Sequence, residues 1–172
     1  MTRWLDFSGA PPLLIPTRLL SQWRGGINPA TGKYSELNTK APLTDYDRAC
    51  ASAWPGRGVL PIADASALVL YTEYDQHTWH APHNVVACGS WLPTEAELVA
   101  ASWEDPLSWN VQDTDFFLVN SAADGAAGLR ADEFMEVRLA PGKYVIEYAA
   151  LEGTYIGCFH RLSLVESGRC AA

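Results

Sequence analysis

Between residues 133 and 164 apolar side chains alternate with polar ones, a period of two that belongs to extended chain with one face against a core. Met135, Val137 and Leu139 share one face of a first run. Pro141-Gly142 supplies a turn, and Tyr144, Ile146 and Tyr148 share one face of a second run. A third run over residues 156–164 follows, so the spacing predicts a three-stranded antiparallel meander.

The rest of the chain reads in shorter pieces. Two short strands, around Trp4 to Gly9 and Leu13 to Pro16, are separated by Gly-Ala-Pro-Pro, and Thr17 caps a short helix that ends at Gly25-Gly26. Residues 25–43 are polar and rich in Gly, Pro, Asn and Thr, the composition of a mobile surface excursion. Thr44 then caps a second short helix whose first turn holds Asp45 and Asp47, where carboxylates favour the positive helix end. Residues 59–62 and 67–71 predict a hairpin, with Pro61 marking an edge strand. Residues 84–88, 108–111 and 115–119 are strand-like, and Thr94 opens the clearest helix, with Leu98 and Ala101 on its apolar stripe. These elements predict a mainly β, α+β protein: one antiparallel sheet system, barrel-like or sandwich, of about eight or nine strands with two or three short helices.

A length of 172 residues suits one core. The expected organisation is a single globular domain over residues 1–165 and a frayed tail over 166–172. The N-terminus has no basic-then-apolar leader and no apolar run approaches the ~18 residues of a membrane span, which places the expected location in the cytoplasm. Cys50, Cys88, Cys158 and Cys170 are far apart and form no C-x-x-C pair, so they read as free thiols, the first three as small buried hydrophobes.

Motifs for catalysis are absent: no G-x-S-x-G elbow, no phosphate-cradling loop followed by lysine, no cysteine beside an evident base. His77, His80 and His83 stand in H-x-x-H-x-x-H spacing, which on a helix would gather three imidazoles. Pro82 and the strand-like Thr78-Trp79 argue against a helix, and extended chain would put His77 and His83 on one face with His80 opposite. The expectation is therefore no catalytic residue, no cofactor and no metal.

Charge is unevenly spread. Residues 49–136 hold thirteen acids against two arginines, whereas the flanking segments are close to neutral and the whole chain carries −8. Such a field repels nucleic acid and anionic lipid and attracts basic partners.

Several stretches carry a resemblance. Trp4 with Ser8-Gly9-Ala10-Pro11-Pro12-Leu13-Leu14-Ile15-Pro16, Leu19-Leu20 with Trp23-Arg24-Gly25, Asp45-Tyr46-Asp47-Arg48-Ala49-Cys50 and Ala67-Leu68-Val69-Leu70 come first. Thr78-Trp79 with Pro82, Leu139-Ala140-Pro141-Gly142-Lys143-Tyr144 and His160-Arg161-Leu162 follow in order. Together they resemble the immunity protein 21 family of bacterial polymorphic-toxin systems. The chain departs from the family pattern at Gly9-Ala10-Pro11-Pro12, where Gly-Gly-Pro-Leu is expected, and at Ala63-Asp64-Ala65-Ser66, where Gly-Asp-Gly is expected. The resemblance implies a cytoplasmic, non-catalytic inhibitor that binds and neutralises a cognate toxin by stoichiometric contact, a nuclease being one candidate for that toxin.

A toxin with a basic contact surface fits the acidic middle, and acids beside exposed tryptophan are the composition of an interface hot spot. The expected contact residues are Trp54, Asp64, Glu73, Asp75 and Trp79; oligomeric state is left open. Two other readings use the same residues: a small-molecule-binding β-barrel with its aromatics turned inward, and a metal-dependent enzyme at His77, His80 and His83.

Overall fold

The computed structural model describes residues 2–7, 10–38, 40–53, 56–72, 74–89, 91–151 and 157–167. In chain order these form β1 (Leu5–Asp6), β2 (Pro12–Pro16), a 3-10 turn (Thr17–Gln22), α1 (Asp45–Ala53), β3 (Arg57–Ile62), β4 (Ala65–Leu70) and β5 (Gln76–His80). A 3-10 turn (Ala81–His83), β6 (Val85–Gly89), α2 (Glu95–Ala100), β7 (Glu104–Val111), β8 (Asp115–Asn120), a 3-10 turn (Gly125–Ala127), β9 (Phe134–Arg138), β10 (Gly142–Leu151) and β11 (Gly157–Ser167) complete them. The fold is mainly β and antiparallel throughout, as the patterning predicts.

The strands take the sandwich form of the two expected, in two sheets. Six run in the order β1-β5-β6-β11-β10-β7 and five in the order β3-β4-β2-β8-β9, and the sheets do not close into a barrel. The main core lies between them, with Leu14, Leu68, Phe116, Leu118 and Val137 from the five-stranded sheet meeting Val86, Trp109, Tyr144, Ile146 and Leu162 from the six-stranded one. Trp109 ties the sheets together: its Nε1 donates to Ser66 Oγ at 2.9 Å and its ring meets Phe116 edge-on at 5.4 Å. These side chains interleave between the two sheets.

Each sheet also has a covered outer face. On the five-stranded sheet Leu13, Ile15, Ala67 and Val69 pack under Leu19, Trp23, Ala49 and Ala53 of the first 3-10 turn and α1. The helix comes very close here: a Cβ at Gly58 of β3 would stand 2.1 Å from the Ser52 carbonyl oxygen of α1, a spacing only glycine permits. On the six-stranded sheet Val85, Ala87 and Phe159 pack under Leu98 of α2 with Trp4, Trp91 and Trp103. Thr94 caps α2 in a reciprocal box with Glu97.

Two strand predictions change. The Pro141-Gly142 corner does not fold β9 back on β10. β9 pairs with β8, β10 pairs with β7 and β11, and the chain crosses from one sheet to the other at that corner. Alternation survives the crossing because Val137 and Tyr144 face the same interior from opposite sheets. The pattern of a hairpin and of a sheet switch is therefore the same in sequence. Eleven strands form among the described residues, more than the eight or nine expected, and one of the additions is β5, a full strand in the histidine run between β1 and β6. β11 continues through Ser167, with Glu166 opposite Lys143 and Ser167 opposite Gly142.

Candidate functional site

Of the five expected contact residues, Trp54 and Glu73 lie outside the described residues. Asp64 sits on the two-residue turn between β3 and β4, next to Ala63 at φ +52°. It is exposed and pairs with Arg18 at 2.7 Å, and the same guanidinium holds Asp113 at 2.6 Å. Arg18 keeps the Asp64 carboxyl below its ordinary range. This end of the sandwich carries a cleft of about 370 Å³ between the β3–β4 turn and the β7–β8 connection, lined by Pro61, Asp64, Ser66, Asn110, Asp113 and Phe116.

The other two described residues belong to the opposite sheet. Asp75 precedes β5 and is exposed, and its carbonyl accepts from Phe7 N at 2.8 Å. Trp79, within β5, is half-buried against the main core, and its backbone N–H donates to Met135 Sδ at 3.2 Å. Asp64 on one side and Asp75 with Trp79 on the other are thus set on different sheets.

The histidine run also separates. His77 is buried and stacks on Phe7 at 4.8 Å, whereas the 3-10 turn Ala81–His83 brings His83 beside His80, with ring centroids 4.9 Å apart. Extended spacing put His77 and His83 together. The turn, closed by Asn84 at φ +50°, overrides it, so the run does not converge on one point.

The acidic middle of the sequence meets arginines on folding, two of them from the N-terminal segment. Arg18 answers Asp64 and Asp113, Arg24 answers Asp124 at 3.2 Å, Arg138 answers Asp115 at 3.4 Å and Arg130 pairs with Asp132. Glu95 and Glu97 lie on α2 over the six-stranded sheet, and Glu136 is on β9. Among the described residues the acids of the middle are therefore distributed over both sheets.

A different surface stands out by its side chains. Tyr34, Leu37 and Leu43, in the excursion between Trp23 and α1, are 77%, 53% and 65% exposed. Half the large hydrophobic side chains exposed among the described residues are in this one segment. Single exposed apolar residues are ordinary, whereas three in one segment make it a candidate contact surface.

This loop has a built foundation. The buried carboxylate of Asp47 accepts from the Ser35 hydroxyl, from Asn38 N at 3.1 Å, and from Leu43 N and Thr44 N at 3.1 Å each. Thr44 Oγ1 returns the bond by accepting from Asp47 N at 3.0 Å, a capping box that starts α1. Burial works to raise the Asp47 pKa, but the hydrogen bonds outweigh it and hold the carboxyl below its ordinary range. At the loop base Gly25 takes φ +53°, and a Cβ there would lie 2.2 Å from the Ala123 carbonyl oxygen. Gly26 N donates to Ala122 O at 3.1 Å and Tyr46 N to Gly25 O at 2.9 Å. Leu37 holds φ +54°, an uncommon conformation for a non-glycine residue that such an anchored frame can sustain.

Contacts link this loop to the acidic end. Asp45 accepts from Arg24 N at 2.8 Å and pairs with Arg48, Arg48 donates to Pro61 O at 3.0 Å, and Pro61 lines the cleft beside Asp64. Tyr34, Leu37 and Leu43 lie singly in a mostly polar stretch and carry no pattern of their own, although Thr44-x-x-Asp47 has the spacing of a capping box. The Cys50 thiol in α1 is pushed up by burial, which keeps it protonated and poorly nucleophilic.

The family model for immunity protein 21 matches residues 3–155, and the chain belongs to that family. No curated protein and no solved structure matches it. No helix among the described residues is long and apolar enough to cross a membrane.

Proposed function

We propose that this immunity-family protein neutralises a cognate toxin by stoichiometric binding, without catalysis and in the cytoplasm. The observation that carries the reading is the loop fixed on Asp47, which offers Tyr34, Leu37 and Leu43 to solvent on a backbone already ordered for contact. Preorganisation matters because a docking loop that is already held loses less entropy on association. A tyrosine and two leucines are the apolar centre of the interface, and Asp64 with the cleft at the adjoining end belongs to its polar rim.

The partner's chemistry follows from charge. A net charge of −8 favours a basic toxin and speeds its approach at low salt. A toxin that attacks nucleic acid would have such a surface, since phosphate neutralisation needs lysine and arginine. Asp75 and Trp79, on the opposite sheet, belong to a second, weaker contact in this reading.

The test is co-expression with the toxin encoded beside it. Cells survive and the two chains co-elute from a sizing column as an equimolar complex if the proposal holds. Unchanged lethality with no complex would reject it.

A further inference from the structure

Inside the sandwich, on the inner face of the six-stranded sheet, polar side chains gather where the register would otherwise call for apolar ones. His77, Cys88 and Cys158 stand in a row across β5, β6 and β11, since His77 is opposite Cys88 and Cys88 is opposite Cys158. His160 is two residues further along β11, on the same face. The ligand atoms of Cys88, Cys158 and His160 all lie within 4.8 Å of one another.

All four side chains are at least 97% shielded from solvent. Both ring nitrogens of His160 and Nε2 of His77 have no hydrogen-bond partner among the described residues, which is rare for buried polar atoms. His77 Nδ1 is 3.1 Å from the Asp75 carbonyl oxygen, so Nδ1 is the protonated nitrogen and Nε2 presents its lone pair to the interior. A metal-bound histidine is oriented in this way, by a carbonyl on its far nitrogen. Thr72 Oγ1, 3.4 Å from Cys158 Sγ, can donate to that sulfur.

We propose that Cys88, Cys158 and His160 form a buried structural zinc site. Two sulfurs and an imidazole supply three of the four positions of tetrahedral zinc, His77, opposite Cys88 in the register but outside that cluster, would have to shift toward the ion to supply the fourth, and two thiolates would balance the dication inside an apolar interior. Phe7 stacked on His77 and Tyr148 at 5.4 Å from the His160 ring exclude water, so the ion would enter as the chain folds and would pin β5, β6 and β11 together.

The test is the metal content of protein expressed in zinc-supplemented medium, purified with reductant and desalted. The proposal expects about one zinc per chain by mass spectrometry, and a thiolate–cobalt absorption of tetrahedral type when cobalt replaces it. Cys88→Ser and Cys158→Ser should each weaken retention by more than about tenfold, while Cys50→Ser, in α1, should retain the full amount. Because the serine variants could fail to fold, the wild-type result decides alone. Less than about a tenth of an equivalent in folded wild-type protein would overturn the site. Equal retention by all three variants, or peptide mapping that finds a Cys88–Cys158 disulfide in protein purified without reductant, would overturn it too.

Discussion

The loop before α1 and the acidic end beside the β3–β4 turn are linked through Asp45 and Arg48, and they treat charge in opposite ways. In the loop a carboxylate is buried and used as a frame: Asp47 gathers three backbone N–H groups and a hydroxyl, and the apolar side chains are the ones turned outward. At the acidic end the carboxylates are outside and are partly neutralised by Arg18, which arrives from a distant part of the chain. A sequence count of acids weighs both sites equally. The fold makes one a scaffold and leaves the other an ion-paired surface.

Four substitutions separate these roles, from the largest effect to the smallest. Asp47→Ala removes a charged acceptor that serves four donors and should lower unfolding free energy by about 3 kcal/mol, read from urea denaturation. Its pH dependence has a definite sign. The folded carboxyl titrates below the unfolded value near ~4, so its contribution is complete above that value and fades as pH falls through the folded pKa. Urea midpoints of the wild type should therefore fall more steeply on acidification than those of Asp47→Asn; parallel curves would remove Asp47 from the role of anchor.

Gly25→Ala strains the loop base at φ +53° and drives a methyl against the Ala123 carbonyl, so a loss of about 2 kcal/mol is expected by the same measurement. Tyr34→Ala, by contrast, should leave stability within about 0.5 kcal/mol while weakening toxin binding by roughly 2 kcal/mol, or about thirtyfold. Asp64→Asn should do least. Arg18 already screens that carboxylate, so stopped-flow association at low salt should slow by less than about tenfold and the difference should vanish near ~0.5 M salt. A larger loss for Asp64→Asn than for Tyr34→Ala would reverse the ranking of rim and loop.

The parts legible in the sequence are those set by neighbours along the chain. Alternation locates the strands of the C-terminal third, Thr94 and Thr44 mark helix starts, and the hairpin falls on the runs at 59–62 and 67–71 with Pro61 in an edge strand, although the connection is only Ala63-Asp64 and β4 already begins at Ala65. What failed depends on pairing between distant strands. Leu139 and Tyr144 alternate alike whether the chain folds back or changes sheet, and nothing local distinguishes the two. Cys88 and Cys158 showed no metal spacing because the β6–β11 register, not the chain, makes them neighbours. The loop was hidden for a further reason: polar composition suggests solvation, but exposure of Tyr34 and Leu43 follows from where Asp47 fastens the backbone.

In the proposed mode of binding, the fastened loop is the toxin's landing place. Calorimetric titration of the purified toxin into the wild type and into the Tyr34→Ala/Leu43→Ala double variant tests it most directly. Equimolar binding by the wild type, at least about a hundredfold weaker in an equally stable double variant, is the predicted result. Equal affinity for both would contradict it and move the interface elsewhere on the sandwich.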